Sequence, residues 1–307
     1  MTLTELRYIV AVARERHFGR AAEACFVSQP TLSVAVKKLE EELDVKLFER
    51  GSAEVSVTPL GEEIVRQAQA VLEQAAAIKE IAKRGKDPLA GPLRLGVIYT
   101  IGPYLLPDLV RATIARLPQM PLILQENFTA KLLDMLRAGE LDCAILAEPF
   151  VDTNLAMAPL YEEPFLVAVP RSHALAQRTS IGAEELKRET MLLLGSGHCF
   201  RDHVLEVCPE YARFSSDAEG IRKSFEGSSL ETIKYMVAAG MGVTVVPQLS
   251  VPPEPHPYIA FVPFEAPPPT RRVMLVWRRS FTRYEAIAAL RNAVYDCPLV
   301  GVTRLSV

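Results

Sequence analysis

The 307-residue chain has little that would remove it from a reducing, aqueous compartment. No stretch approaches the roughly 20 consecutive apolar residues of a membrane-spanning helix, so no membrane partner is expected. The start, MTLTELRYIVAV, carries Glu5 and Arg7 ahead of any apolar run and lacks the plan of a secretory signal. A cytoplasmic location is the expectation. Cysteine is scarce: Cys25, Cys143, Cys199, Cys208 and Cys297, with none of the paired spacing of a zinc site. That excludes an extracellular disulfide framework, and no metal or cofactor is expected. Charge of one sign is also missing, because 34 Lys and Arg against 37 Asp and Glu leave a net charge of -3. A chain so balanced does not bind nucleic acid as a whole, and any such role must come from a local patch. What is present, 49% hydrophobic and 23% charged residues, suits a globular protein with room for two or three domains.

Two of the few cysteines share one segment, Leu194 to Pro209, written LGSGHCFRDHVLEVCP. Residues Phe200 to Val207 hold no glycine or proline, and Phe200, Val204 and Val207 recur at helical spacing. A helical rise of about 1.5 Å per residue sets Cys199 and Cys208 roughly 13 Å apart. A disulfide needs Cα atoms within about 7 Å. The pair can be two thiols on an intact helix or a disulfide on an unwound one, but not both. His198 precedes Cys199 and Arg201 follows it by two, and a nearby cation lowers a thiol pKa. Gly195 and Gly197 allow a tight strand-to-helix turn that would bring Cys199 to a helix N-terminus, where an anion is favoured. The plain alternative is two buried cysteines on unrelated faces, the fate expected of Cys25, Cys143 and Cys297.

The chain begins with helical patterns. Leu3 to Glu15 places Leu3, Leu6, Ile9, Val10 and Ala13 on one face, and Arg20 to Cys25 is a short small-residue helix. Phe26-Val27-Ser28 makes a turn. Ser28 is a good N-cap and Pro30 suits a first turn, so a helix should run from about Gln29 to Leu43. Two short helices joined in this way form a helix-turn-helix, with Val34, Val36, Leu39 and Leu43 toward its core. The outward residues have the chemistry of a recognition helix: Gln29 for adenine edges, Ser33 for either base type, Pro30 for a thymine methyl. Thr31, Lys37 and Lys38 are placed for phosphates. Residues 1–39 hold six Lys or Arg against three Glu, an excess that the acidic run Glu40 to Asp44 cancels, so a plain helical hairpin stays open on periodicity alone.

Val45 to Val57 reads as a hairpin with its tip at Gly51-Ser52 and Arg50 beside the tip, where a wing would meet a phosphate. Thr58-Pro59 starts a long helix to about Gly85. Its positions Ile64, Ala68, Val71, Ala75, Ile78 and Ala82 form a heptad-like seam, whose expected use is pairing with a second copy. A polar linker, Gly85 to Pro92, follows. Beyond it strands at 93–97, 122–125 and 143–147 alternate with helices at 105–117 and 130–138, the pattern of parallel βαβ units. Phe165 to Val169 opens a second series that includes 192–194, a helix begun by Ser228-Ser229-Leu230-Glu231 as a capping box, and 244–246. A late strand at 273–277 and a helix at 284–295 close the chain.

The run FGRAAEACFVSQPTLSVAVKKLEEELDVKLFER, followed by TPLGE, resembles the winged helix-turn-helix of the LysR-type transcriptional regulators over the first 85 or so residues. The resemblance implies an α/β chain in which a winged helix-turn-helix (1–58) and a dimerisation linker helix with hinge (59–87) precede a two-lobed, periplasmic-binding-protein-like regulatory domain (88–307). Lobe I would be 88–163 with 268–307, and lobe II 164–267. AGELDCAILAEP and AAGMGVTVVPQL fit the family's usual segments in that domain. Ser28, Gln29, Pro30, Thr31, Ser33, Lys37, Lys38 and Arg50 would then face DNA.

GHCFRDHVLEVC within that frame resembles the family's peroxide-sensing branch. The resemblance makes Cys199 the peroxidatic cysteine, oxidised to sulfenic acid, and Cys208 the resolving cysteine that closes an intramolecular disulfide and refolds residues 200–207. It places Thr100, Thr129, His198, Asp202 and one of Arg271 and Arg272 around the peroxide; strand alternation sends those two arginines to opposite faces. The partners implied are double-stranded promoter or operator DNA, hydrogen peroxide, a second copy through the linker helix, a homotetramer, and RNA polymerase, with transcription activation rather than enzyme turnover as the outcome. A thiol peroxidase, or a LysR-type regulator that senses a small metabolite in the cleft, would use the same residues differently.

Overall fold

Side-chain caps start the first three helices. Thr2 and Glu5 form a reciprocal capping box on α1 (Leu3–Glu15), His17 accepts from the Gly19 and Arg20 amides at α2 (Phe18–Ala24), and Ser28 accepts from the Thr31 amide at α3 (Gln29–Leu43). The computed structural model describes residues 1–50, 55–84, 87–150, 152–211, 224–227 and 229–305. Helix α2 starts two residues before the expected Arg20, because the His17 cap recruits Phe18 and Gly19. Within α3, Leu32, Val36 and Leu39 are buried and Val34 is 68% exposed, which corrects Val34 as a core residue. At about 100° per residue Val34 lies on the far side of the helix from Leu32. Leu3, at the fraying end of α1, is likewise exposed.

Strands β1 (Phe48–Arg50) and β2 (Val55–Val57) pair antiparallel in the register Phe48 to Val57. The expected tip at Gly51 and Ser52 and the Arg50 side chain lie outside the described residues. Helix α4 (Pro59–Arg84) follows. Its seam divides between two uses. Ala68 is buried in the core made by α1–α3 and Ile64 packs on that core, while Val71 and Ile78 are exposed. A third side of α4 is tied to the C-terminal half of its own chain: Arg278 Nε lies 2.6 Å from Glu73, Ser280 Oγ donates to Glu73 at 2.6 Å, and Gln74 donates to the Ser280 carbonyl at 2.7 Å.

The remainder runs β3 (Leu93–Ile98), α5 (Gly102–Arg116), β4 (Leu122–Asn127), α6 (Thr129–Arg137), β5 (Cys143–Ala147), β6 (Leu155–Pro170), β7 (Met191–Leu194), α7 (Cys199–Val207), β8 (Ser224–Gly227), α8 (Leu230–Ala238), β9 (Thr244–Pro247), β10 (Ile259–Pro263), β11 (Thr270–Arg278), α9 (Tyr284–Asp296) and β12 (Thr303–Arg304). The sheet is mixed rather than parallel throughout. β3 is parallel to β4 and β5, and β7 to β8, but β11 runs antiparallel to β5 and β6, and β6 antiparallel to β9, β10 and β12. The cause is β6, a 16-residue strand of which the sequence marks only the second half. Pro159, Glu162, Glu163 and Pro164 break its apolar pattern. At α8 the cap is Ser229, which accepts from Thr232, rather than the expected pairing of Ser228 with Glu231; Ser228 lies outside the described residues.

Two apolar cores result. One is built from Leu93 to Tyr161 and again from Val273 to Leu299; the other draws on Phe165 to Phe264. β6 and β11 carry the chain between them. Cys143 and Cys297 are buried in the first core, as expected of small apolar side chains. Among the described residues no helix is long and apolar enough to cross a membrane.

Candidate functional site

Helix α7 spans the seam between the two cores. Phe200, Val204 and Cys208 are buried in the second core, whereas Cys199, its first residue, packs against the first. Gly197 makes the turn into α7 with φ 97°, a left-handed conformation that favours glycine. His198 is the N-cap residue, with extended backbone. The helix stops at Cys208, whose amide bonds to the Val204 carbonyl at 2.9 Å and whose successor is Pro209. Both cysteines are free thiols, at opposite ends of an intact helix.

The charge that favours the Cys199 thiolate comes from β11, not from the neighbouring residues. Burial pushes the Cys199 thiol above its ordinary value, while a hydrogen bond from Thr129, the positive charge of Arg271 and the Phe200 amide draw it down and Asp202 raises it. Arg201 is turned away, donating to the Leu194 carbonyl at 2.9 Å. Asp202 is exposed on the first turn of α7. The expectation of Arg201 as a cation beside the thiol is therefore corrected, because i+2 neighbours on a helix do not face each other, whereas His198 lines the same cavity as Cys199.

Arg271 is 2% exposed and Arg272 is exposed, so alternation along β11 sends the first inward and the second to solvent. Arg271 is fully engaged. Its Nε pairs with Glu163 at 2.8 Å, one terminal nitrogen donates to Thr100 Oγ1 at 2.8 Å, and the other donates to the Thr100 carbonyl at 3.0 Å. The guanidinium lies 5.2 Å from the centre of the Phe200 ring. Burial works against its charge, but Glu163, Tyr161 and Cys199 together outweigh burial and hold its pKa above the ordinary value. Glu163 in turn accepts the Leu249 amide at 2.7 Å. The Thr129 hydroxyl is buried and otherwise without a hydrogen-bond partner. Thr100, Thr129, His198 and Cys199 line one small cavity with Tyr99, Phe128 and Gly197, and its volume is about 10 Å³. That is room on the scale of a single water-sized centre.

Glu163, Phe200 and His203 were not singled out from the sequence. Nothing local marks Glu163, since its partner Arg271 is 108 positions away. His203 is buried, and its Nε2–H donates to the Glu148 carbonyl at 2.5 Å, tying α7 to the end of β5. Burial holds the His203 pKa below its ordinary value. Cys208 is fully buried, and burial pushes its thiol up to about 12. Arrangement and chemistry together give one thiol in a small pocket of aromatic rings and threonine hydroxyls beside a fixed cation, and a second thiol that only an opened helix can present.

At the other end of the chain, Ser28, Gln29, Pro30 and Thr31 are exposed at the head of α3, and Ser33 is half-buried. Lys37 and Lys38 are exposed too, within 3.4 Å of Glu41 and 3.9 Å of Glu5 respectively. Surface pairs of this kind are weak and exchange readily for phosphate.

A helix-turn-helix with a paired hairpin, carried by a long helix onto two α/β cores with a thiol pocket at their seam, defines a transcription regulator with a built-in sensor. The chain belongs to the LysR family of bacterial regulators. Residues 3–62 match the model of the bacterial regulatory helix-turn-helix protein, lysR family, and residues 86–296 match the LysR substrate binding domain. Among curated relatives, the DNA-binding transcriptional dual regulator OxyR of Escherichia coli (strain K12) is 40% identical over 300 residues, covering 96% of each chain. Among solved structures, a full-length cysteine-to-aspartate mutant of OxyR from Pseudomonas aeruginosa is 52% identical, covers 97% of this chain and 98% of its own, and superposes with a TM-score of 0.74. A hydrogen-peroxide-bound cysteine-to-serine mutant of Corynebacterium glutamicum OxyR is 34% identical, covers 95% and 91%, and gives a TM-score of 0.63. These relatives are transcription regulators, not enzymes.

Proposed function

We propose that this chain is a hydrogen-peroxide-sensing, DNA-binding transcription regulator that works in the cytoplasm. The observation that carries the proposal is the division of α7: Cys199 sits in the pocket with Thr100 and Thr129, with Arg271 held behind Thr100, while Cys208 is buried in the other core at the far end of the same helix. The Cys199 thiolate attacks one oxygen of hydrogen peroxide. The O–O bond breaks, an S–O bond forms, and the second oxygen takes a proton and leaves as water. Arg271 holds the positive charge that supports the thiolate and the departing oxygen. Cys208 then attacks the sulfenic sulfur, a second water leaves, and a disulfide closes.

An intact α7 forbids that bond, so residues 200–207 must unwind. Unwinding pulls Phe200 from beneath Arg271, breaks the His203–Glu148 tie, and takes Cys208 out of its core. All three contacts join the two lobes or fill one of them, so their loss alters how the lobes sit. The linker helix α4, held to β11 through Glu73 and Arg278, passes the change to the DNA-binding heads. Val71 and Ile78, exposed along α4, support pairing with a second copy, and two such pairs would make the tetramer. Ser28, Gln29, Pro30, Thr31, Ser33, Lys37 and Lys38 face operator DNA, and the regulator acts on RNA polymerase there. The small volume of the cavity disfavours a metabolite, and the buried resolving thiol disfavours rapid peroxidase turnover.

Thiol mass mapping before and after one equivalent of peroxide tests the proposal: a 199–208 bridge should form, and its absence would sink the mechanism. Cys199→Ser should lose the peroxide response and keep DNA binding.

A further inference from the structure

Three aromatic rings from three separate segments close one wall of the Cys199 pocket. Phe128 meets His198 edge-on at 4.8 Å between ring centres, Tyr99 meets Phe128 edge-on at 5.3 Å, and Tyr99 lies 5.8 Å from His198. All three line the same cavity as Cys199. His198 is 6% exposed, whereas Tyr99 and Phe128 are 38% and 37% exposed. These two rings therefore stand between the cavity and solvent. Gly197 completes the wall, because a Cβ there would come within 3.4 Å of the Phe128 ring. Rings that brace one another edge-on are harder to displace than a single mobile side chain.

We infer that Tyr99 and Phe128 set the size selectivity of the thiol, admitting hydrogen peroxide and excluding alkyl hydroperoxides. The inference rests on the peroxide-sensing reading and deepens it. With either oxidant the Cys199 thiolate attacks the terminal oxygen, the O–O bond breaks and an S–O bond forms. The other oxygen takes a proton and leaves, as water from hydrogen peroxide or as an alcohol from an alkyl hydroperoxide. The chemistry at sulfur is the same. What differs is the alkyl group on the departing oxygen, which in-line attack points away from the sulfur and into the walls. A cavity of about 10 Å³, room for one water-sized centre, needs only a small give in its walls to take two bonded oxygens, whereas a carbon branch needs an aromatic ring to move aside.

The test uses the full-length reduced protein, with Cys199 oxidation followed by quenched-flow thiol mass measurement. Hydrogen peroxide and tert-butyl hydroperoxide are compared for the wild type, Phe128→Ala, Tyr99→Ala, Phe128→Leu and Tyr99→Phe. The ratio of the tert-butyl rate to the hydrogen peroxide rate should rise at least about tenfold in both alanine variants, the lower end of what one methylene-scale contact discriminates in an apolar pocket. Tyr99→Phe should keep the wild-type ratio, since the ring and not its hydroxyl fills the mouth, and Phe128→Leu should fall between. A general loosening of the fold moves both rates together and leaves the ratio alone. That result, or a wild type oxidised equally fast by both reagents, overturns the inference while leaving peroxide sensing intact. A wild type as slow toward hydrogen peroxide as a free thiol would remove the sensing reading and the selectivity with it.

Discussion

The Arg271–Glu163 pair offers a cycle in which structure and chemistry separate. Its side chains are 1% and 0% exposed. Glu163→Gln keeps an acceptor for the Leu249 amide but leaves the guanidinium without its counter-charge. Breaking a buried pair from one side costs about 3–5 kcal/mol. A domain of 150–250 residues shifts by about 2–4 °C per kcal/mol, so the melting temperature of the sensor half should fall by roughly 6–20 °C. Arg271→Met should cost at least as much, because it strands Glu163 and removes both donors from Thr100. The double variant carries neither charge. Its main loss is the unpaired Thr100 carbonyl, worth about 1–3 kcal/mol, so it should be more stable than either single change. Calorimetry on the reduced protein at pH 7 reads the three values. If the double loss equals the sum of the singles, the pair does not interact and the reasoning fails. Peroxide should report something different: Arg271→Met and the stable double variant should both oxidise slowly at pH 7 and recover as pH rises, because losing the cation raises the Cys199 thiol further.

Three further outcomes follow from the same contacts. Burial holds the folded-state pKa of His203 below the ordinary value of about 6.5, so the unfolded chain binds the proton more tightly; stability should fall as pH drops below about 6.5, and His203→Gln should flatten that slope in denaturant titrations at pH 7 and 5. Phe200→Ala removes a buried ring from the reduced state only, at about 3–5 kcal/mol. It should lower the disulfide's reduction potential by about 60–110 mV in glutathione titrations, at 30 mV per 1.4 kcal/mol; an unchanged potential would mean Phe200 stays buried after oxidation. Ile78→Lys puts a charge on the exposed side of α4 and should shift the protein toward monomer in sedimentation, whereas Lys79→Ala should not.

Local chemistry made some elements legible and left others hidden. Ser28 and Pro30 located α3 to the residue, because a cap and a fixed φ act within one turn. Val34 was misplaced because an apolar residue at a helical spacing need not be buried when DNA or solvent lies on that side. β6 was half missed, since its prolines and paired glutamates serve the crossing between the two cores rather than either core. At the site, the glycines before His198 and the helical spacing after it were readable. Local spacing offered Arg201 as the cation beside Cys199, though it points elsewhere; Arg271 was reached only through the family resemblance, and the aromatic wall drew no notice because Tyr99 and Phe128 sit in unrelated segments.

By itself the sequence determined that two thiols at either end of an eight-residue helical run exclude a disulfide, and that two capped helices joined by a tight turn stood ahead of them. Those conclusions depend on rise per residue, caps and spacing, which are properties of short stretches. Only the tertiary structure decided which arginine faces the thiol, that Glu163 holds it, and that Cys199 and Cys208 pack in different cores. Each of these brings together residues far apart in the chain, and a charge acts through the distance and burial that folding sets, not through position along the sequence.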